Sequence, residues 1–409
     1  MNIAVVYQYY QGHGAPGHSL AYELTQHLAE NGHAVTVISG ETGYMKVEHP
    51  ALPWYRRLLR RERHGAVQVI RMFTYTQLHR SYLGRLLSFI SFSITAPLGL
   101  MCAGRPDVVL ASSPPIFPMF SVWLVCKLRG IPLVLEVRDL WPASAVQMGI
   151  LRNRQLIGIM AWMERLLYDQ AQRIVTLTHG IRDDIHGRGW PAERLEVITC
   201  GIDRGMLYPD PQAGAGLRRE YGWEGRRIVL YMGAMGEANN LDVLLDAARH
   251  CENRDVLFLL VGDGMRRRDI QRRIAETGLA NVELCEPVAK NQVRHWICAA
   301  DLCVVTLQDI ALFGGAIPTK LLDYMACGRP VLCGVRGEAA QIVCQADAGL
   351  TFAPNDSLQL LAHIARLGAD SQERGRLGEN GARHVREHFD AHKGRVAMEA
   401  VLRRAADER

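Results

Sequence analysis

Short apolar runs recur along the chain, each closed by Gly, Pro or a charged residue and each followed by a stretch with helical spacing. In the first half they are NIAVVY (2–7), AVTVIS (34–39), DVVLASS (107–113), PLVLEV (132–137), RIVTLT (173–178) and LEVI (195–198). In the second half they are RIVLYMG (227–233), FLLVGDG (258–264), VELC (282–285), LCVVTL (302–307), PVLCGV (330–335) and GLTF (349–352). Continuous apolar runs of this length, without alternation, suit strands buried on both faces of a parallel sheet, and the intervening helices supply the crossovers. The pattern predicts an α/β protein with two doubly wound parallel sheets.

Between the two series, residues 204–225 (RGMLYPDPQAGAGLRREYGWEG) are rich in Pro, Gly and charge and have no period. The expected organisation is a first domain over 1–204, a linker over 205–225, a second domain over 226–385 and a charged helical tail over 386–409. A length of 409 residues with 48% apolar and 22% charged residues fits a soluble globular protein of two domains. The ten cysteines stand singly without a C-x-x-C pair, as buried thiols of a reducing compartment do, which disfavours disulfide and zinc readings. No basic n-region or long apolar segment precedes the first strand, so a cytoplasmic location is expected.

Charge adds one local feature. From Lys46 to Arg105 there are ten basic and two acidic residues, a local charge of +8 on a chain whose total is +5. One basic segment on an otherwise near-neutral protein suits a local anionic partner rather than nucleic acid. Within it, Trp54, Arg56, Arg57, Arg60 and Arg61 read as a patch facing an anionic membrane surface. The apolar stretch that follows, 86–102, is diluted by Ser and Pro and reads as a core helix rather than a span.

The stretch richest in chemistry is FGGAIPTKLLDYMACGRPVL (313–332). Pro318 sits at the start of a short helix that Gly328 and Pro330 close before the next strand. Unpaired N–H groups in its first turn, with Gly314, Gly315 and Ala316 allowing close approach, suit a phosphate, and Lys320 adds a full charge. Asp323, one turn on, is placed for sugar hydroxyls, although the two side chains also have the spacing of an ordinary ion pair. A second cradle of this type is Gly233 with Gly236, between a strand and a helix.

This stretch resembles the C-terminal signature of glycosyltransferase family 4, in the bacterial branch with Pro-Ser/Thr-Lys, an acidic residue and Tyr-Met-Ala. The chain departs from the family majority at Gly315, where the first of two glutamates usually stands, and in lacking an Arg and a Lys after the strand that ends at Gly233. The resemblance implies the GT-B fold, two Rossmann-like domains facing a central cleft, with the C-terminal helix returning to the first domain. It implies a donor site built from Gly233, Gly236, Pro287, Val288, Gly314, Gly315, Ala316, Ile317, Thr319, Lys320, Asp323 and Glu338. A carboxylate opening a helix is also favoured by the helix dipole alone, so Glu338 has two readings.

In the first domain, Gly12, Gly14 and Gly17 fit G-x-G-x-x-G, but three residues separate them from the strand end and no acid follows at the distance a dinucleotide site needs. The resemblance makes this a flexible loop, with Gly14 and Gly17 facing the donor diphosphate and His13 and His18 facing either substrate or solvent. Arg138 and Asp139 end a strand where a His-Asp pair commonly stands, and with Lys320 they are the catalytic candidates. Arg138 would bind the diphosphate or an anionic acceptor, or pair with Asp139 or Glu136.

The activity implied is retaining transfer of a hexosyl or N-acetylhexosaminyl group from a nucleotide diphosphate sugar, UDP-sugar favoured, to a lipid-linked or oligosaccharide acceptor in bacterial surface polysaccharide synthesis. No cofactor and no metal are expected, and the chain contains no D-x-D. A location on the inner face of the cytoplasmic membrane follows. The alternatives are a non-catalytic nucleotide-sugar-binding component of an assembly complex and a nucleotide-sugar epimerase or hydrolase of the same fold.

Overall fold

The computed structural model describes residues 1–12, 20–41, 57–76 and 82–408. The chain divides into two compact units, Met1–Thr199 with Lys393–Arg409 and Cys200–His392.

The first unit runs β1 (Asn2–Val6), α1 (Leu20–Glu30), β2 (Ala34–Gly40), β3 (Leu59–His64), β4 (Val67–Met72), α2 (Tyr82–Cys102), β5 (Val108–Ser113), α3 (Ile116–Arg129), β6 (Leu133–Val137), α4 (Ala143–Gln147), α5 (Arg154–Gln170), β7 (Arg173–Thr176), α6 (His179–Gly187) and β8 (Leu195–Val197). Its eight strands are ordered β3-β4-β2-β1-β5-β6-β7-β8, all parallel except β3, which pairs antiparallel with β4. The order reverses between β1 and β5. β5 is buried throughout and β1 from its second residue, as strands covered on both faces must be.

The second unit runs α7 (Pro211–Tyr221), β9 (Arg227–Met232), α8 (Asp242–His250), β10 (Val256–Val261), α9 (Arg267–Thr277), β11 (Val282–Cys285), α10 (Val293–Ala299), β12 (Leu302–Thr306), α11 (Thr319–Ala326), β13 (Val331–Gly334), α12 (Glu338–Gln345), β14 (Gly349–Thr351), α13 (Ser357–Ala369) and α14 (Ser371–His388). Its six strands, all parallel, are ordered β11-β10-β9-β12-β13-β14, so the reversal falls between β9 and β12. In open sheets of this kind ligands bind outside the carboxyl ends of the strands at the reversal.

The last helix, α15 (Ala391–Asp407), belongs mostly to the first unit. Met398, Val401, Leu402 and Ala405 enter the same apolar cluster as Ile3, Val5, Leu28 and Val37. Glu399 is buried there, with His33 Nε2 at 3.0 Å, His27 Nε2 at 3.2 Å, and Asn31 and Arg403 donating to it. Burial pushes this carboxyl up, but the hydrogen bonds from His33, Arg403 and Asn31 outweigh it and hold the group at about 2.

Two stretches differ from expectation. The aperiodic segment 205–225 contains α7, capped by the Asp210 carboxylate on the Ala213 N–H and packed on α10. A Cβ at Gly214 would lie 2.2 Å from the Cys298 carbonyl oxygen, so this helix sits against its neighbour backbone to backbone. The basic run read as a membrane patch continues into the edge strand β3. Arg60 of β3 pairs with Glu62 at 3.2 Å, and Arg61 donates to the Cys102 carbonyl at 3.5 Å. Arg57, ahead of β3, is a mostly buried partner of Glu41 at 2.6 Å. Three of the five residues assigned to a membrane patch are thus held by intramolecular bonds, while Trp54 and Arg56 lie outside the described residues.

Candidate functional site

In the second unit, β9 ends at Met232 and the chain turns through Gly233, whose φ of 146° a side chain would strain. Gly262, after β10, comes so close that a Cβ on it would lie 1.9 Å from the Gly233 carbonyl oxygen. A Cβ at Gly264 would likewise lie 2.4 Å from the Met235 carbonyl oxygen. The two loops therefore pack with no side chain between them. A 3-10 turn over Glu237–Asn239 follows, tied to the end of β12 by the Thr306 hydroxyl on the Asn239 carbonyl at 2.6 Å.

Helix α11 fills the crossover from β12 to β13. Its N-cap is Pro318 with an extended backbone and no side-chain cap, so no side chain there takes up the first-turn amides. Pro318 thus lies one position before the helix rather than within it. Tyr324 fastens α11 to β9, accepting from the Met232 N–H at 2.7 Å and donating to its carbonyl at 3.2 Å.

Lys320, on the first turn, points at the β9 turn. Its Nζ donates to Tyr231 Oη at 2.5 Å and to Asn239 Oδ1 at 3.2 Å, and lies 4.0 Å from the Tyr231 ring centre. A Cβ at Gly233 would be 3.1 Å from the same Nζ. Tyr231, fully buried, passes the bond on by donating to the Ala234 carbonyl at 2.6 Å. The lysine side chain is half-buried, but the ammonium is enclosed by these neighbours. Burial drives its pKa down to about 7, against the opposing pull of the Asp323 carboxylate. Asp323 is half-buried on the same helix face.

The remaining residues expected on the donor side fall in two groups. Gly314 and Gly315 close a 3-10 turn after β12, and Ala316 and Ile317 lead into α11 beside Thr319, its first residue. Gly337, the N-cap of α12, meets this turn: a Cβ on it would be 2.0 Å from the Gly314 carbonyl oxygen, which places Glu338, first in α12, beside the same loop. Pro287 and Val288 follow β11 at the edge of the sheet, where Arg267 bonds the Cys285 carbonyl at 3.1 Å and Glu286 at 2.6 Å. Gly236 is the N-cap of the 3-10 turn holding Asn239.

In the first unit, Arg138 and Asp139 follow β6. The Arg138 guanidinium lies 5.5 Å from the Tyr7 ring centre, donates to its hydroxyl at 3.4 Å and approaches Glu136 at 4.0 Å. Asp139 accepts from the Ser144 hydroxyl of α4 at 2.9 Å; burial raises its pKa, partly offset by that bond. His13, Gly14, Gly17 and His18 lie outside the described residues. Just before them, Tyr10 is buried with Arg71 bonded to its carbonyl and to Glu62 at 2.7 Å, an anchor for the loop root. Among the described residues no group of three His, Cys, Asp or Glu side chains is placed to hold a metal ion.

Tyr231 and Asn239 were not anticipated from sequence. The available signal was a tyrosine in a fully buried strand, whose hydroxyl must find a partner.

Two Rossmann-like units with a lysine at the strand reversal of the second define a protein of the GT-B type. Sucrose-phosphate synthase from Thermosynechococcus elongatus shares the fold with a TM-score of 0.78 at 19% identity, covering 100% of both chains. Anabaena Alr3699/HepE, solved with UDP and glucose, does so with a TM-score of 0.73 at 18% identity over 98% of this chain and 99% of that one. Residues 226–370 match the glycosyl transferases group 1 family and residues 18–201 the glycosyl transferase 4-like domain. The chain belongs to glycosyltransferase family 4. A relative described as "Putative colanic acid biosynthesis glycosyl transferase WcaI", from Escherichia coli, is 24% identical over 75% of this chain and 76% of its own length. "Probable glycosyltransferase WbjE" from Pseudomonas aeruginosa is 23% identical over 63% of this chain and 65% of its own, so the match takes in just under two thirds of that relative.

Proposed function

We propose that the protein transfers a hexosyl or N-acetylhexosaminyl group, with retention, from a nucleotide diphosphate sugar to a lipid-linked or oligosaccharide acceptor of a bacterial surface polysaccharide. The observation that carries this reading is the enclosed Lys320 ammonium beside the uncapped start of α11 and the Gly233 turn. As the glycosidic bond to the diphosphate breaks, negative charge grows on the leaving phosphate, and a positioned lysine beside the first-turn amides stabilises it with little reorganisation. Asp323 takes sugar or ribose hydroxyls, Glu338 the same class of group, and UDP is the favoured nucleotide. Arg138 binds the diphosphate or an anionic acceptor, Asp139 is the catalytic candidate beside it, and the chemistry needs no metal or cofactor. The acceptor places the enzyme on the inner face of the cytoplasmic membrane.

The test is donor turnover by Lys320→Ala and Asp323→Ala, with folding followed by melting temperature. Both are expected to stay folded and lose transfer; unchanged turnover in both removes the site. A thermal-shift panel of nucleotide sugars identifies the donor, since a ligand that binds only the folded state raises the melting temperature. Gly315, in the place of the family's glutamate, favours one rival: a binding component without turnover, which would show a thermal shift but no product with any acceptor. An epimerase or hydrolase would show product from the donor alone.

A further inference from the structure

Helix α2 is long and apolar enough to cross a membrane by length and composition, yet only 39% of its Gly84–Cys102 window is buried. The exposed side chains are not scattered. Leu87, Ile90, Ile94, Leu98 and Met101 follow one another at three- and four-residue steps and form a single stripe, with Ile94 at 66% exposure. The opposite side is core. Phe92, Ala96 and Leu100 are fully buried, Ser88 accepts from the Gln8 amide at 3.1 Å, and Thr95 donates to the Phe73 carbonyl at 2.9 Å.

The stripe continues across the neighbouring helices. α2 packs on α3, and α3 on α5. α3 exposes Leu124 and, at 78%, Leu128, while α5 exposes Ile159 and Trp162, whose ring lies 5.5 Å from that of Phe120 on α3. These nine side chains expose on the order of 1000 Å², about twice the largest apolar patch of an ordinary soluble monomer.

Along α2 and α3 the border charge has one sign, and on α5 Arg154 and Arg165 stand with Glu164, buried against Arg188, and Asp169, which accepts from the Trp190 indole. Between Gly84 and Gly130 the basic residues are Arg85, Arg105, Lys127 and Arg129, and the one acidic residue, Asp107, is turned to the sheet, accepting from the Asn2 N–H at 2.7 Å. Arg61 sits at the end of α2 on the Cys102 carbonyl, beside Met101, and Lys127 lies 5.2 Å from the Trp123 ring centre. A two-fold interface repeats the same patch on both sides, so a second copy would bring the basic borders of α2 and α3 together, with Asp169, already bonded to Trp190, as the one exposed acid on these three helices among the described residues. A sheet of anionic lipid headgroups over an acyl layer matches both features. The fixed polar contacts on the inner side of α2 exclude a spanning arrangement; the helix must lie in the plane.

We propose that the α2–α3–α5 face seats in the interfacial layer of an anionic bilayer, with Leu87, Ile94, Leu98, Leu128 and Trp162 among the acyl chains and the basic border at the phosphates. This moves the centre of the contact surface from the Trp54–Arg61 segment to these helices, with Arg61 at the border. It deepens the peripheral-membrane reading above and rests on it, but it is tested without any sugar transfer, so the two can fail separately.

The experiment is co-sedimentation of the full chain with vesicles of phosphatidylcholine alone or mixed with phosphatidylglycerol, at low and high salt. Partitioning onto the anionic vesicles is expected to be at least about tenfold stronger than onto the neutral ones and to weaken with salt. Ile94→Glu with Leu98→Glu should abolish it while leaving the melting temperature and UDP affinity unchanged, since both side chains point away from the core. Leu128→Glu alone serves if the double variant does not fold. Vesicle contact should blue-shift the tryptophan emission, and Trp162→Phe should remove most of that shift. Vesicle binding by the double variant equal to that of the unaltered chain overturns the proposal. So does a self-associated chain that ignores vesicles and becomes monomeric on the same substitution.

Discussion

Raising the pH from 6 to 8 carries Lys320 across its titration, and this gives the proposed donor site a measurable signature. With a pKa of about 7 the ammonium is about 90% charged at pH 6 and about 10% charged at pH 8 in the ligand-free protein. A bound diphosphate supplies the counter-charge the site lacks and returns the group to the charged form. Binding at pH 8 should therefore take up about 0.9 proton per site, against about 0.1 at pH 6, and affinity should fall by up to about tenfold per pH unit above 7. Calorimetric titration of UDP in two buffers of different ionisation enthalpy reads the uptake directly. Lys320→Met should bind weakly and without buffer dependence.

The same displacement has a sign for stability. The folded pKa lies below the ordinary 10.5, so between about 7 and 10.5 the unfolded chain holds more protons and ligand-free stability rises with pH; below 7 the burial penalty is fully present. Its ceiling is roughly 5 kcal/mol, reduced by the partial solvent access of the side chain. Lys320→Met is thus expected to melt higher than the unaltered protein at pH 6. Equal heats in both buffers at pH 8, or the same uptake in Lys320→Met, would falsify the assignment.

Three further outcomes follow from the geometry. Tyr231→Phe keeps the buried ring but removes the acceptor for Lys320 and the donor to Ala234, so UDP affinity should drop by about 1–1.5 kcal/mol, and the unpaired Ala234 carbonyl should lower the melting temperature as well. Gly262→Ala drives a Cβ into the Gly233 carbonyl and should cost at least about 2 kcal/mol of stability, seen in denaturant unfolding, along with nucleotide binding. Glu399→Gln should lower stability by about 1–3 kcal/mol; because the carboxyl is held at about 2 rather than the ordinary 4.5, its contribution is present above pH 4.5 and fades as pH falls towards 2, which acid unfolding of the pair of proteins will show.

The strands that sequence made plain are those buried on both faces: β10 is apolar throughout and β5 at four of its six positions, and their alternation with helices marks the sheets as parallel, while the strand order and its reversals come from the structure. β3 and β4 were missed. LRRERH has no apolar alternation because it is an edge strand whose charges are satisfied locally, Glu62 by Arg71 of β4. α7 was read as linker because PQAGAGLRREY buries only Gly214, and what holds it is close backbone contact rather than an apolar stripe. Lys320 was legible from its motif, but its partners Tyr231 and Asn239 stand 89 and 81 residues away and carry no local mark. Likewise 86–102 was recognisable as a helix; which of its sides is covered depends on α3 and α5, and composition does not contain that.

Because α15 completes the cluster around Ile3, Leu28 and Val37 only after the whole of Cys200–His392 has been made, the first unit cannot finish folding in the order of synthesis. On the ribosome, the second unit has every residue it needs earlier. The amino-terminal sheet must wait with part of its apolar surface bare, and it is this waiting intermediate that a chaperone or an aggregation pathway would meet.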